Sequence, residues 1–167
     1  MILQFAPQRV INTGVAGSLD AALSIGDLVI ADRVVQHDMD TSALGDPVGL
    51  LSGIDRVFLP GDAALIERLQ SAAADSGIPC KVGTVASGDQ FVGDEQRKRY
   101  IRDTFGAAAC EMEGAAIGQV CYVSGVPFAV VRAISDDANG GAQMDYPAFV
   151  KMAAARSAAL VRRMLER

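Results

Sequence analysis

Ala109-Cys110-Glu111-Met112-Glu113-Gly114-Ala115-Ala116 is an apolar run that stops at two carboxylates and passes into a helical pattern of small residues. A second stretch, Val130-Val131-Arg132-Ala133-Ile134-Ser135-Asp136-Asp137, is another apolar run that ends in acids. Near-continuous apolar runs of this length read as strands buried on both faces, the kind found in sheets covered by helices. In an open α/β sheet, ligands bind beyond the carboxyl ends of the strands, so two adjacent strands ending here would aim Glu and Asp at one ligand. A carboxylate accepts hydrogen bonds from a vicinal diol, and a partly desolvated carboxylic acid gives its proton to a ring nitrogen of a leaving group. The same acids serve as caps of the helices that follow, because exposed N–H groups and the helix dipole favour negative charge there. These two stretches alone leave both roles open.

Working outward, Met1 to Ala6 reads as the last turns of a helix stopped by Pro7, and Arg9 to Thr13 as a short strand running into a tight turn at Gly14-Val15-Ala16-Gly17. Ile25 to Asp32 and Val34 to Asp40 read as two strands, and Thr41 to Leu59 as a long loop punctuated by Gly, Pro and Ser. Asp62 can cap a helix over Ala63 to Ser76, with Gly77 and Pro79 as stops, and Cys80 to Ser87 follows as a strand. Asp94 to Asp103 reads as a charged helix with the basic run Arg97-Lys98-Arg99 on its solvated face. Met112 to Ser124 reads as a close-packed helix, and Tyr146 to Glu166 as an amphipathic one with Phe149, Met152, Leu160 and Leu165 toward the core. Strands alternating with helices, without repeats or a linker, predict one α/β domain over residues 1–167, with a mainly parallel or mixed central sheet flanked by helices.

A length of 167 residues suffices for a sizeable core, and with half the residues hydrophobic but no Trp, that core is built from Ala, Val, Leu and Ile. Twenty acids against 15 bases leave a net charge of -5, which argues against a nucleic-acid or anionic-membrane partner. Cys80, Cys110 and Cys121 lack CxxC spacing and read as buried, reduced thiols, neither a disulfide framework nor a zinc site. His37, Asp38 and Asp40 are ligand types, but strand alternation puts the two acids opposite His37, so no metal site is expected. No apolar stretch reaches the length of a membrane span and no signal peptide is evident, so a cytoplasmic location is expected.

Glu111-Met112-Glu113-Gly114-Ala115-Ala116 followed by Arg132-Ala133-Ile134-Ser135-Asp136 resembles the paired signatures of the nucleoside phosphorylase and nucleosidase superfamily. Ser87-Gly88-Asp89-Gln90-Phe91-Val92 and His37-Asp38-Met39-Asp40 resemble most the 5'-methylthioadenosine/S-adenosylhomocysteine nucleosidase branch, and the resemblance spans essentially the whole chain. It implies a nucleoside phosphorylase-like fold, no cofactor, no metal, a small adenine thionucleoside as substrate, and a homodimer. It implies Asp136 as the acid at adenine N7, oriented by Ser135. Glu113 would hold the ribose hydroxyls, Met112 the ribose face, and Glu111 would contact substrate or support the site. Phe91 would stack on adenine, Val92 would read the purine edge by its backbone, Tyr146 would close over the substrate, and Leu44 would line the partner's pocket across the dimer. Arg132 would anchor carboxylates near the mouth.

One departure is visible: the family carries a section before Arg9-Thr13 that supplies the first strand, a water-activating Glu and a Ser-Gly-rich segment, whereas no Glu precedes Glu67 here. The expectation is therefore either a fragment of a longer nucleosidase or a truncated member with little or no activity alone, its first strands missing and its apolar sheet edges exposed, with oligomerisation or instability as the consequence. Three activities compete: hydrolysis of the thionucleosides, purine nucleoside phosphorolysis, and nucleoside binding without turnover. Phosphorolysis needs several positive groups for phosphate, and the mouth segments offer Arg132.

Overall fold

A computed structural model of the chain describes residues 1–136 and 146–166. The elements in chain order are α1 (Ile2–Phe5), β1 (Val10–Ser18), β2 (Leu28–Gln36), a 3-10 turn (Ser42–Leu44), β3 (Leu59–Pro60), α2 (Ala63–Asp75), β4 (Cys80–Ser87), α3 (Glu95–Phe105), β5 (Ala107–Glu111), α4 (Gly114–Val123), β6 (Phe128–Asp136) and α5 (Tyr146–Leu165). The strands form one mixed sheet in the order β3-β2-β4-β5-β1-β6, and a further pairing of β2 with β6 closes five of them into a circuit. β1 with β6, β2 with β4, and β4 with β5 run parallel; β1 with β5, β2 with β6, and β2 with β3 run antiparallel.

β6 shows why the apolar run is unbroken. Phe128, Val130 and Ile134 face the cluster that includes Ala115 and Cys121 of α4, while Ala129, Val131 and Ala133 pack with Leu65 and Leu69 of α2 and Phe149, Leu160 and Met164 of α5. Both faces are buried, so alternation of polar and apolar residues disappears. Arg132 and Asp136 share the even-numbered face by the two-residue period of a strand.

α2 begins where the sequence places it, since the Asp62 carboxylate accepts from Leu65 N at 2.9 Å. Other expectations are corrected. β2 is one strand; it bends where its register with β4 shifts between Ala31 and Val34, and along one edge Leu28–Ile30 pair with β6 before Arg33 and Val34 pass to β3. β1 runs straight through Gly14 and Gly17 instead of turning, because the space a Cβ would take is filled by β6 side chains: Arg132 lies against Gly14, and Asp136 Oδ2 would be 3.1 Å from a Cβ at Gly17. β5 and β6 are not neighbours, since β1 lies between them. Edge exposure is narrower than expected: the circuit closes, but β1 meets β5 through Gly17 and Ser18 alone, and Val10, Ile11 and Val15 are half-buried. Cys80 is exposed while Cys110 and Cys121 are buried, and Leu165 faces solvent, Met164 taking the core position.

Candidate active site

The junction of β5 and α4 is built around Glu111. Its carboxylate accepts from Gly114 N at 3.0 and 2.8 Å and from Glu113 N at 3.3 Å, receives the Ser87 hydroxyl, and pairs with Arg132. Ser87 Oγ in turn accepts from Ala115 N at 2.7 Å. The free N–H groups at the start of α4 are thus satisfied by Glu111 and Ser87, a capping role that the sequence leaves open between the two glutamates. Glu113, with 61% of its side chain exposed, makes no capping bond and reaches Arg132 in a loose ion pair at 3.7 Å. Arg132 is buried and also donates to Asn12 Oδ1, so its charge is spent inside the wall of the site.

At the end of β6, Ser135 Oγ lies 2.8 Å from Asp136 Oδ1 and 3.2 Å from the Ala16 carbonyl. Its single O–H goes to the shorter contact. A shift of register between Ala16 and Gly17 brings Gly17 opposite Asp136, and the missing Cβ there leaves room for the carboxylate. Asp136 Oδ2 faces Lys98 Nζ at 3.9 Å.

These groups meet in one cleft of about 340 Å³, lined by Val15 to Leu19 of β1 and its exit, Gln90 to Val92, Lys98, Cys110 to Glu113, Ser135 and Asp136. Glu111, Met112, Glu113, Phe91, Val92, Ser135 and Asp136 are brought together although β1 separates the two acid-bearing strands. Phe91 stands 85% exposed at the rim, an aromatic face without a partner ring among the described residues. Burial, with the Glu111 charge next to it, pushes the Cys110 thiol up to about 12, so it contributes an apolar wall and no thiolate.

Leu44 lies on the 3-10 turn, exposed and away from this cleft. The Tyr146 side chain and Asp137 fall outside the described residues. Glu67 is exposed on α2, also away from the cleft. His37 is buried under the segment that carries Phe91: its Nδ1 is 3.5 Å from Arg97 Nη2, its Nε2 has no hydrogen-bond partner, and burial pulls its basicity below the usual 6.5. Next to it, Asp38 Oδ2 accepts from Asp89 N at 2.7 Å, which ties down the start of that segment. Among the described residues no group of three or more His, Cys, Asp or Glu side chains is placed to hold a metal, and no helix is long and apolar enough to cross a membrane.

Lys98 is the charged cleft residue that the sequence does not announce, and Ser18 and Leu19 at the exit of β1 are likewise added by the fold. A signal of the burial of Lys98 was present, since it is three residues before Ile101 and seven before Phe105, on the stripe of α3 that the structure buries.

The phosphorylase superfamily profile matches residues 1–166. The chain is 41% identical over 162 residues to the 5'-methylthioadenosine/S-adenosylhomocysteine nucleosidase of Staphylococcus aureus, a match covering 96% of this chain and 71% of that protein. Among solved structures, the 5'-methylthioadenosine/S-adenosyl homocysteine nucleosidase of Campylobacter jejuni superposes with a TM-score of 0.95 at 40% identity, covering 99% of this chain and 72% of that one. The futalosine hydrolase of Helicobacter pylori gives 0.91 at 40% identity, covering 99% and 70%.

Proposed function

The chain belongs to the phosphorylase superfamily, and from that premise we propose that it hydrolyses the N-glycosidic bond of 5'-methylthioadenosine and S-adenosylhomocysteine, releasing adenine. The observation that carries this reading is the cleft itself, which Glu113, the Ser135-bound Asp136 and the exposed Phe91 line together.

In the reaction the C1'–N9 bond breaks, its electron pair passes into the purine, and water adds to the ribosyl cation, its surplus proton passing to solvent. Adenine leaves readily once protonated, so Asp136 delivers a proton to N7 while Ser135 fixes its direction. Glu113 accepts from the ribose hydroxyls, and its negative charge stabilises the cation that develops in the ring. Met112, half-exposed next to it, covers the sugar face. Phe91 stacks on the base, Val92 offers backbone groups to its edge, Tyr146 closes over the substrate, and Leu44 reaches the pocket of a second copy in a homodimer. Glu111 and Arg132 act as the frame, and the capping bonds of Glu111 leave the Glu113 carboxylate available to the ribose. No cofactor or metal enters these steps, and residues 1–167 act as one domain.

Hydrolysis is favoured over phosphorolysis by the charge of the cleft. Lys98 is the one cation among the described residues lining it and is engaged by two carboxylates, while Arg132 is committed to Glu111, so no cluster of positive groups awaits a phosphate. The names of the relatives above, nucleosidase and hydrolase, are likewise those of hydrolytic enzymes.

The test is release of adenine from 5'-methylthioadenosine in phosphate-free buffer, with Asp136→Asn as control. Release that falls by about 10² or more in the variant supports the reading. A strict requirement for phosphate would assign phosphorolysis instead, and adenine binding without release would leave the chain a purine-holding protein.

A further inference from the structure

Lys98 takes no part in the steps above, yet among the described residues it is the cation in ion-pair reach of their acid. It is 9% exposed, with Nζ 3.2 Å from Glu95 Oε1 and 3.9 Å from Asp136 Oδ2. Lysine gives up hydration to this degree only where anions compensate it. The two oxygens of Asp136 are addressed separately, Oδ1 by the Ser135 hydroxyl and Oδ2 by the Lys98 ammonium. Helix α3, which carries Lys98, starts directly after the segment bearing Phe91 and Val92, and its first turn is fixed by Asp94 accepting from Arg97 N at 2.9 Å.

We propose that Lys98 is a positioning residue for Asp136, its ammonium compensating the carboxylate left behind when Asp136 passes its proton to the purine N7. The inference rests on the assignment of Asp136 as the acid. The balance is simple: the proton moves from the Asp136 carboxyl to N7, the C1'–N9 electron pair enters the purine, Asp136 ends anionic, and Lys98 stays protonated throughout. A group that stabilises the acid more after transfer than before lowers the barrier, which is where electrostatic catalysis acts. Glu95 makes the shorter contact with Lys98, so the ammonium is shared and not committed to Asp136 before substrate arrives. On this arrangement the cleft prefers a base that presents N–H at the N7 position to a carboxylate.

Two purine analogues read that preference without any turnover: 9-deazaadenine carries N–H at the N7 position, and 7-deazaadenine carries C–H there. Their affinities are measured by calorimetry for the wild-type chain, Lys98→Met, Lys98→Arg, Asp136→Asn and the Lys98→Met/Asp136→Asn double variant. The expected result is that Lys98→Met weakens 9-deazaadenine about tenfold and 7-deazaadenine less than about twofold, with Lys98→Arg restoring most of the loss. The double variant should bind no worse than Asp136→Asn alone, because Lys98 acts through Asp136. Equal weakening of both analogues in Lys98→Met, or of neither, overturns the inference and leaves Lys98 a packing residue. A wild-type chain that binds neither analogue overturns the purine site itself, and the inference with it.

Discussion

Glu111→Gln removes one charge and no volume from the frame of the cleft. In the native site the carboxylate receives Gly114 N at 3.0 and 2.8 Å, Glu113 N at 3.3 Å and the Ser87 hydroxyl, and it pairs with Arg132. Gly114 N touches both carboxylate oxygens, so a glutamine amide turns its own NH₂ toward that N–H whichever way it is placed, and toward the Arg132 guanidinium as well in one of the two orientations. The side chains of Arg132 and Glu111 are 3% and 2% exposed, and water does not fill the gap. Breaking a buried ion pair by neutralising one partner costs about 3–5 kcal/mol. Glu113 lies 3.7 Å from Arg132 and takes over part of the compensation, which puts the expected loss near 3 kcal/mol. For a chain of this size that lowers Tm by about 6–12 °C. The assay is thermal and urea unfolding of Glu111→Gln, Arg132→Met and the double variant. The double variant should be more stable than Glu111→Gln, since it leaves no unpaired buried charge. A Tm within about 2 °C of wild type for Glu111→Gln, or strict additivity in the double variant, would refute the reasoning.

Glu113→Ala should lower kcat/KM for 5'-methylthioadenosine by about 10²–10³ with Tm unchanged, because Glu113 caps nothing and faces the cleft. Asp62→Ala removes the cap of α2 and should cost about 1 kcal/mol, or about 2–4 °C in Tm, without altering purine affinity. His37 gives a pH dependence whose sign follows from its burial. Its folded-state basicity lies below the unfolded value of 6.5, so below that pH the unfolded chain takes up the proton first and stability falls as the pH drops through the window. Tm measured across that window should fall in the wild type and stay flatter in His37→Gln; parallel curves would show that His37 is not the source.

The strands and helices with one continuous pattern were legible in the residues alone. Phe128–Asp136 is near-continuously apolar because both of its faces are covered, and α2 starts at Asp62 because an Asp before an apolar helical run has N–H groups to satisfy. The carboxylates of the candidate site were legible too, since acids at the ends of buried strands have no business in a core unless something compensates or uses them. Their division of labour was not. Glu111 and Glu113 are two residues apart, and both could cap α4; the choice depends on Ser87 from β4 and Arg132 from β6, which sequence distance hides. The glycines of β1 read as a turn because local chemistry knows only that Gly permits one. The strand passes straight through them because Arg132 and Asp136 of β6 occupy the space beside them. Lys98 read as solvated among charged neighbours, and it is buried because α3 docks with that face against the carboxylate at the end of β6. The sequence by itself determined which segments are buried and where carboxylates end them, since hydrophobic period and side-chain type are local properties. Only the tertiary structure decided which acid is a cap, which is left to the cleft and which faces a cation, because pairing among β1, β4, β5 and β6 brings together groups that no local pattern relates.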